Sequence, residues 1–332
     1  MGSFTAIPKA KGEANTDDDL DFPPTSAEQL LARCSAQLSG LPAPFKRRLR
    51  TTGKGEAASV RLLQWNQLSQ TLGSQNDGFL LCPPLALDWS SRRWRLLEEL
   101  VRHSPDILCL QEVDHFPLLE RALASLGYSG HFVPKPDSPC IYLPNNSGPD
   151  GCAMFYRAEQ WEAVGEVRSR ILEVWHVQSN QVVLAVNLRH RGTGREVCVA
   201  TTHLKARSGA LLATLRHEQG KDLLDWLETV RQDRPLVLTG DFNAEPSEPV
   251  IRAVTEQLES AYKTEDTEYT TWKVREQGGE QKNTLDYIFH SKGVEVTATL
   301  DMPTEEQVGA DRLPSLAFPS DHLSLVADFL LL

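Results

Sequence analysis

The sequence is short of positive charge. Lysine and arginine together number 34 against 45 aspartates and glutamates, a formal net charge of −11, and the pI is about 5.4. A protein that grips nucleic acid by its backbone usually presents a broad basic face. The acidic balance argues against a large polyanion footprint while leaving room for a local basic pocket. No apolar run approaches the roughly 20 residues of a membrane span, so no transmembrane segment is expected. The apolar core of a secretory signal is missing as well. No glycine-rich loop precedes a helix, so a dinucleotide cofactor held in that way is not expected. The six cysteines form no CxxC pair and no even framework. Cys109 and Cys198 sit in apolar strand-like runs, and reduced thiols in a cytosolic protein are the expected state.

What is present suffices for a large core: 332 residues, 40% hydrophobic and 24% charged, ordinary for a globular protein. Residues 1–24 are polar and acidic, end in Pro23-Pro24 and read as disordered. Their acids (Glu13, Asp17, Asp18, Asp19, Asp21) are the opposite of an acid-poor mitochondrial presequence. Gly2 opens a myristoylation-like pattern that Ala6 breaks. A cytoplasmic location, with the nucleus a second compartment, is expected. Residues 25–58 read as a short helix and a linker. Ser26 and Gln29 resemble a capping box, with Leu30, Leu31, Cys34 and Leu38 on one stripe. The basic cluster Lys46, Arg47, Arg48 and Arg50 is expected to be solvated.

The texture changes at about residue 59. Strand-like runs recur at "SVRLLQW", "DILCLQEV", "GCAMFYR", "QVVLAVNL", "EVCVATTHL", "LVLTGD", "TLDYIFH" and "HLSLVADFLL". Helical spacing marks "LDWSSRRWRLLEELVRH", "PLLERALASLG" and residues 208–229. Grouped strands with occasional helices predict a mixed α/β sandwich covered by helices over 59–332.

Several apolar strands end in a polar residue of catalytic type: Asn66, Glu112, His203, Asp241 with Asn243, Asp286, and the pair Asp321-His322 before the last strand. Each alone could be a turn, a cap or a satisfied core group; the repeated habit points to a site at the strand ends. If Glu112, Asp241, Asp286 and Asp321 converge, four carboxylates meet with mainly histidine to offset them. That is costly unless protons or a cation intervene. A hard, oxygen-ligated cation, Mg²⁺ with substrate phosphate, fits best, and the chemistry is attack of water on phosphorus. A pair such as Asp286 with His322 would orient the imidazole and stabilise its charge.

"QWN", "LCLQEVD", "TTHLKAR", "GDFNAEP", "TLDYI" and "SDH" resemble, in order over residues 59–332, the endonuclease–exonuclease–phosphatase superfamily. "KPDSPC", "GPDGCA", "THLKARSG", "TTWKVR" and "RLPS…PSDHLSLV" narrow the likeness to one branch. The resemblance implies a four-layer α/β sandwich with two central mixed sheets flanked by helices. It implies Glu112 as principal Mg²⁺ ligand, with Asn66 and Asp321 beside it or bridged by water. Asp241 would align or deprotonate the water, and Asn243 would hold it and a phosphoryl oxygen. His203 and His322 would stabilise charge on phosphate, with Asp286 orienting His322.

Lys135, Lys205, Arg207 and Arg275 are basic residues inside motifs. Converging, they would make a compact cationic cup suited to a small polyphosphate. With the branch resemblance, this implies a monomeric phosphatase removing the 2′-phosphate of NADP⁺ and NADPH, which are substrates here and not cofactors. A 3′-exoribonuclease shortening poly(A) is the second reading, less favoured by the charge, and a catalytically silent adaptor in an mRNA–protein complex the third.

Overall fold

The computed structural model describes residues 17, 20–51, 60–263 and 269–332. Its two large sheets are built from strands covered on both faces, which is why they read as dense apolar runs. The first sheet has seven strands, in the order Leu49–Thr51, Val294–Leu300, Leu325–Leu331, Val60–Asn66, Ile107–Val113, Gly151–Arg157 and Tyr128–Pro134. The second runs Glu259–Ser260, Asp286–His290, Leu236–Asp241, Glu196–His203, Val177–His190 and Trp161–Ala163, with Arg168–Val174 also paired to Val177–His190. Both sheets are mixed. Val60–Asn66 lies parallel to Ile107–Val113, and Leu236–Asp241 parallel to Glu196–His203. Leu325–Leu331 and Asp286–His290 run antiparallel to their central neighbours.

Side-chain alternation along each strand creates three cores. Leu62, Ile107, Cys109, Val199, Val237 and Ile288 point inward and fill the space between the sheets. Their sequence neighbours Leu63, Leu108 and Leu110 point outward and meet Leu96, Leu97 and Leu100 of the helix Trp89–Arg102 and Leu119 of the helix Phe116–Ala124. On the other side Ala200, Leu236 and Leu238 meet Leu223 and Leu227 of the helix Ala210–Arg231 and Val250 of Pro249–Thr255. Helix, sheet, sheet, helix is the four-layer arrangement that the motifs implied.

The segment before this frame is not loose where it is described. The helix Ala27–Gln37 opens with the Ser26/Gln29 capping box and buries Leu30 and Cys34, with Leu38 at its C-cap, in the same core as Trp89–Arg102. Disorder through residue 24 was expected; instead Leu20 and Phe22 pack against that core, and Asp17 meets His115 Nδ1 at 2.6 Å and Trp89 Nε1 at 2.8 Å. Of the basic cluster expected to be solvated, Lys46, Arg48 and Arg50 are exposed, yet Arg47 is buried. It donates to the Asp301 carbonyl at 2.7 Å and to Ser324 Oγ at 2.9 Å, with Glu99 at 3.9 Å, and Leu49–Thr51 extends the first sheet. Both expectations rested on local charge, whereas the partners lie far away in sequence. Glu13, Asp18, Asp19, Gly2, Ala6 and residues 52–58 lie outside the described residues. Among the described residues no helix is long and apolar enough to cross a membrane, and the six thiols are free.

Candidate active site

Along the inner faces, each central strand passes from apolar to polar toward one end of the sandwich. Leu62 is followed two residues on by Gln64 and Asn66, Cys109 by Gln111, Val199 by Thr201 and His203, and Val237 by Thr239 and Asp241. On the antiparallel neighbour the same order runs backwards from Ile288 to Asp286. Period-two geometry therefore stacks the candidate residues on top of the inner core. A polar layer separates the two. Gln111 Nε2 donates to Gln64 Oε1 at 2.7 Å and to Thr201 Oγ1 at 2.8 Å, and Gln64 Nε2 donates to Asp286 Oδ1 at 3.2 Å.

Glu112 breaks the alternation. Its parity matches the outward Leu108 and Leu110, but the pairing register shifts between Leu110 and Val113, and Glu112 takes a φ of 55°. This bulge swings its carboxylate to the site. There Asn66 Nδ2 donates to Glu112 Oε1 at 3.1 Å and to Asp241 Oδ2 at 2.9 Å, and the Ser69 amide donates to Glu112 Oε2 at 3.1 Å. The Leu68 amide holds Asn66 Oδ1 at 3.0 Å, which fixes which end of the amide faces the carboxylates.

Asp241 ends its strand beside Gly240, where a Cβ would lie 2.3 Å from the Thr202 carbonyl oxygen, so a larger residue would push the strands apart. Phe242 is fully buried. The chain then turns at Asn243, φ 49°, whose amide donates to Asp241 Oδ1 at 2.8 Å and whose Nδ2 donates to the Leu204 carbonyl at 3.1 Å. His203 Nε2 lies 3.6 Å from Asp241 Oδ2, and its Nδ1 is buried with no partner among the described residues. Burial, reinforced by the Lys135 charge, holds His203 well below the usual imidazole range, so the ring is neutral. Burial likewise pushes the Asp241 carboxyl up, against the pull of His322.

His322 Nδ1 meets Asp286 Oδ2 at 2.8 Å, and that oxygen also accepts the Thr270 hydroxyl at 2.7 Å. Burial opposes a charged ring, but Asp286, Asp241 and Asp321 outweigh it and raise His322 to about 9. The loop is pinned to the first sheet: Ser320 Oγ donates to the Asn66 carbonyl at 2.7 Å, and Trp65 Nε1 to the His322 carbonyl at 2.6 Å. Asp321 Oδ2 accepts from Lys273 Nζ at 2.5 Å and from Arg275 Nη2 at 2.9 Å. Despite burial, Lys273, His322 and Arg275 hold its carboxyl well below the usual range.

The charge count from sequence needs correcting here. Histidine is not the main offset, because Lys273 and Arg275 neutralise Asp321 directly. Lys273 was missed, although it stands two residues before Arg275 on a strand and so shares its face. Asp77, 3.1 Å from Arg275 Nη2, was missed too, and its loop carries no motif signal. Gln64 and Thr270 announced themselves only through the strand parity and the fold. Lys135 is buried against Asp150 at 2.6 Å, a partner that the cup expectation did not include. Lys205 is half-buried and Arg207 exposed, on the loop that follows His203. Their carbonyls accept from the buried Arg216 Nη1 at 3.0 and 2.7 Å, while its Nη2 reaches Glu248 Oε2 at 2.7 Å. Glu245, next to the water-side pair in sequence, binds Asn283 Nδ2 instead.

The donor set fits a hard divalent cation. Oxygen ligands are grouped, and one atom each from Asp241, Asp286 and His322 lie within 4.8 Å of one another. That trio is already satisfied internally, since Asp286 and His322 bond each other. Glu112 is the better candidate: half-buried, held from two sides by neutral donors, and without an ion pair among the described residues. Asp321 is less available than expected, because one of its oxygens carries two cations. Ligands of this kind suit Mg²⁺ better than zinc.

Residues 63–322 match the model of the Endonuclease/Exonuclease/phosphatase family. The chain is 43% identical to nocturnin of Drosophila melanogaster over 389 aligned residues, covering all of this chain and 60% of that protein. It is 43% identical to Xenopus laevis nocturnin, covering 99% of this chain and 88% of the other. The human nocturnin catalytic domain with a bound sulfate anion superposes with a TM-score of 0.72 at 37% identity, over 86% of this chain and 98% of that one. The strand-end polar residues, the sandwich that stacks them and these likenesses agree: the chain belongs to the nocturnins, hydrolases of the endonuclease/exonuclease/phosphatase family.

Proposed function

We propose that the chain is a divalent-cation-dependent phosphoric-monoester hydrolase that removes the 2′-phosphate of NADP⁺ and NADPH, giving NAD⁺ and NADH. The observation that carries this reading is the pair Lys273 and Arg275, two inward cations beside Asp321 in a protein of net charge −11. A compact pair of cations, set against Asp321 and Asp77, suits the phosphates of a small molecule better than a long polyanion. A sulfate bound to the human relative's catalytic domain is the same kind of tetrahedral oxyanion.

In this reading Glu112, steadied by Asn66, would hold Mg²⁺ together with Asp321. When bound, Mg²⁺ supplies a Lewis acid that draws charge from a phosphoryl oxygen. Asp241 accepts the proton of the attacking water, a task helped by burial raising its carboxyl toward neutrality. Asn243, turned back on Asp241, keeps the water in line. The neutral His203 and the cationic His322 face the charge that builds on the phosphoryl group. The bond formed joins water oxygen to phosphorus, and the bond broken frees the ribose 2′-oxygen, which takes a proton from solvent while Asp241 returns its own to solvent. Lys273, Arg275 and the loop cations Lys205 and Arg207 hold the remaining phosphates, while Lys135, paired with Asp150, adds its charge near Glu112 and His203.

The test uses purified chain with Mg²⁺, given NADPH or an oligo(A) RNA, with phosphate and AMP measured. Phosphate from NADPH with intact RNA supports the proposal. AMP release with inert NADPH replaces it with a poly(A) exoribonuclease. No product from either, with Mg²⁺ or Mn²⁺, turns it into an adaptor.

A further inference from the structure

Arg275 sits on Thr271–Arg275, which with Gly279–Asn283 forms a two-stranded hairpin outside both large sheets. The loop after the helix Gln70–Gln75 lies against this hairpin like a third strand. The Leu80 amide donates to the Val274 carbonyl at 3.0 Å, the Glu276 amide to the Gly78 carbonyl at 2.8 Å, and Phe79 bridges Arg275 antiparallel. Gly78 makes the required turn at φ 57°.

The loop thereby brings two side chains to one guanidinium. Asp77 Oδ2 accepts from Arg275 Nη2 at 3.1 Å, and the Phe79 ring centroid lies 5.0 Å from Arg275 Cζ. Arg275 Nε is buried without a partner among the described residues, a donor aimed at nothing the protein supplies. Asp321 shares the same Nη2, but its Oδ2 is drawn three ways, with Lys273 at 2.5 Å and His322 Nε2 at 3.8 Å. Asp77 has no such competition: among the described residues its one ion pair is with Arg275. Burial of the Asp77 side chain, 13% exposed, pushes its carboxyl up to about 6; Asp321 and Glu112 add to the rise, and Arg275 is the main group that favours its charged form.

We propose that Asp77 is a positioning residue of the candidate active site, the dedicated counter-ion that holds Arg275 in place to grip a substrate phosphate. The proposal rests on the phosphatase reading above and adds a residue that acts through Arg275. When a substrate phosphate competes for Lys273 and Arg275, or Asp321 turns toward a cation, Asp77 remains on Nη2. The anchored guanidinium then offers Nε to the incoming oxyanion without a search over rotamers.

The test compares steady-state kinetics of NADPH dephosphorylation for Asp77→Asn, Asp77→Glu, Arg275→Ala and the double variant Asp77→Asn/Arg275→Ala. Asp77→Asn should raise KM about tenfold with kcat within about threefold of wild type, and Asp77→Glu should recover most of the loss. On the Arg275→Ala background, Asp77→Asn should add less than about twofold, because the group it positions is gone. An unchanged KM in Asp77→Asn, or a full additional loss in the double variant, overturns the proposal; a fall in melting temperature without the KM effect does the same. Should the wild type cleave oligo(A) and leave NADPH intact, the phosphatase reading fails while the same KM comparison on oligo(A) still decides the role of Asp77. Should it cleave neither, calorimetric affinity for inorganic phosphate decides it: equal affinities in wild type and Asp77→Asn overturn the assignment, and a tenfold weaker one supports it.

Discussion

Asp286 holds His322 by a single oxygen, 2.8 Å from ring Nδ1, while the other oxygen is tied to Gln64 Nε2 at 3.2 Å. The carboxylate therefore cannot rotate away from the ring, and His322 is left with Nε2 facing Lys273 and Asp321. Asp286→Asn keeps the shape but removes the charge that favours imidazolium. A drop in kcat of about 10²–10³-fold, with KM changed by no more than a few-fold, is expected from loss of a positioned charge that stabilises the phosphoryl group. Steady-state kinetics on the accepted substrate checks this, and an unchanged kcat would remove the pair from the chemistry.

Glu112→Gln should separate cation binding from folding. The amide oxygen still accepts from Ser69, which keeps the bulge, the bond from Asn66 Nδ2 is lost because the new NH2 cannot accept it, and one of the clustered negative charges disappears. Mg²⁺ or Mn²⁺ affinity by calorimetry should weaken by about 10- to 100-fold, with activity lost and the melting temperature unchanged or slightly raised. Equal cation affinity in the variant would place the cation elsewhere.

Lys273→Met tests the charge balance around Asp321. The variant leaves a buried carboxylate with Arg275 as its remaining direct cation. Breaking one side of a buried pair costs about 3–5 kcal/mol, and the surviving Arg275 should keep the loss near the lower end. Urea melts measure this term, and Lys273→Arg should recover much of it. A variant as stable as wild type would show that Asp321 does not depend on Lys273.

Glu99 predicts an acid-sensitive clamp outside the set of candidate catalytic residues, bonded to Ser324 at 2.6 Å. Burial works against its charge, but His103, Arg102 and Arg47 outweigh that and lower its carboxyl to about 2. A folded value below the unfolded one, about 4.5, means that its stabilisation is complete above pH 4.5 and is lost as pH falls toward 2. The shift corresponds to about 3 kcal/mol. Glu99→Gln should be less stable than wild type by that order at pH 7, and the gap should shrink at pH 3.5. A gap independent of pH would mean that the contribution of Glu99 is packing and not charge.

Much of the candidate site was legible because strands alternate. Asn66, His203 and Asp241 stand at even steps from the inward residues Leu62, Val199 and Val237, so local sequence already placed them on one face above one core. Asp286 and Asp321-His322 flank strands in the same way. The helix from Ser26 and the two helices that cover the first sheet were equally local, carried by capping residues and a 3.6-residue stripe.

What sequence could not supply are the relationships whose energy lies between distant segments. Arg47 reads as solvated until Glu99 and Ser324 surround it, and Asp17 reads as tail until Trp89 and His115 take its oxygens. Lys273, Asp77 and Arg216 gain their meaning from Asp321, Arg275 and the carbonyls of Lys205 and Arg207. By itself, then, the sequence marked the strand faces, a helix-covered mixed sandwich and the polar residues that end its strands, because alternation and capping act over a few residues. The tertiary structure alone decided which charges balance which. It also decided how Glu112, on the wrong parity of its strand, reaches the site: a bulge at φ 55° turns it inward, a local strain that surrounding hydrogen bonds from Asn66 and Ser69 can sustain and a linear pattern cannot reveal.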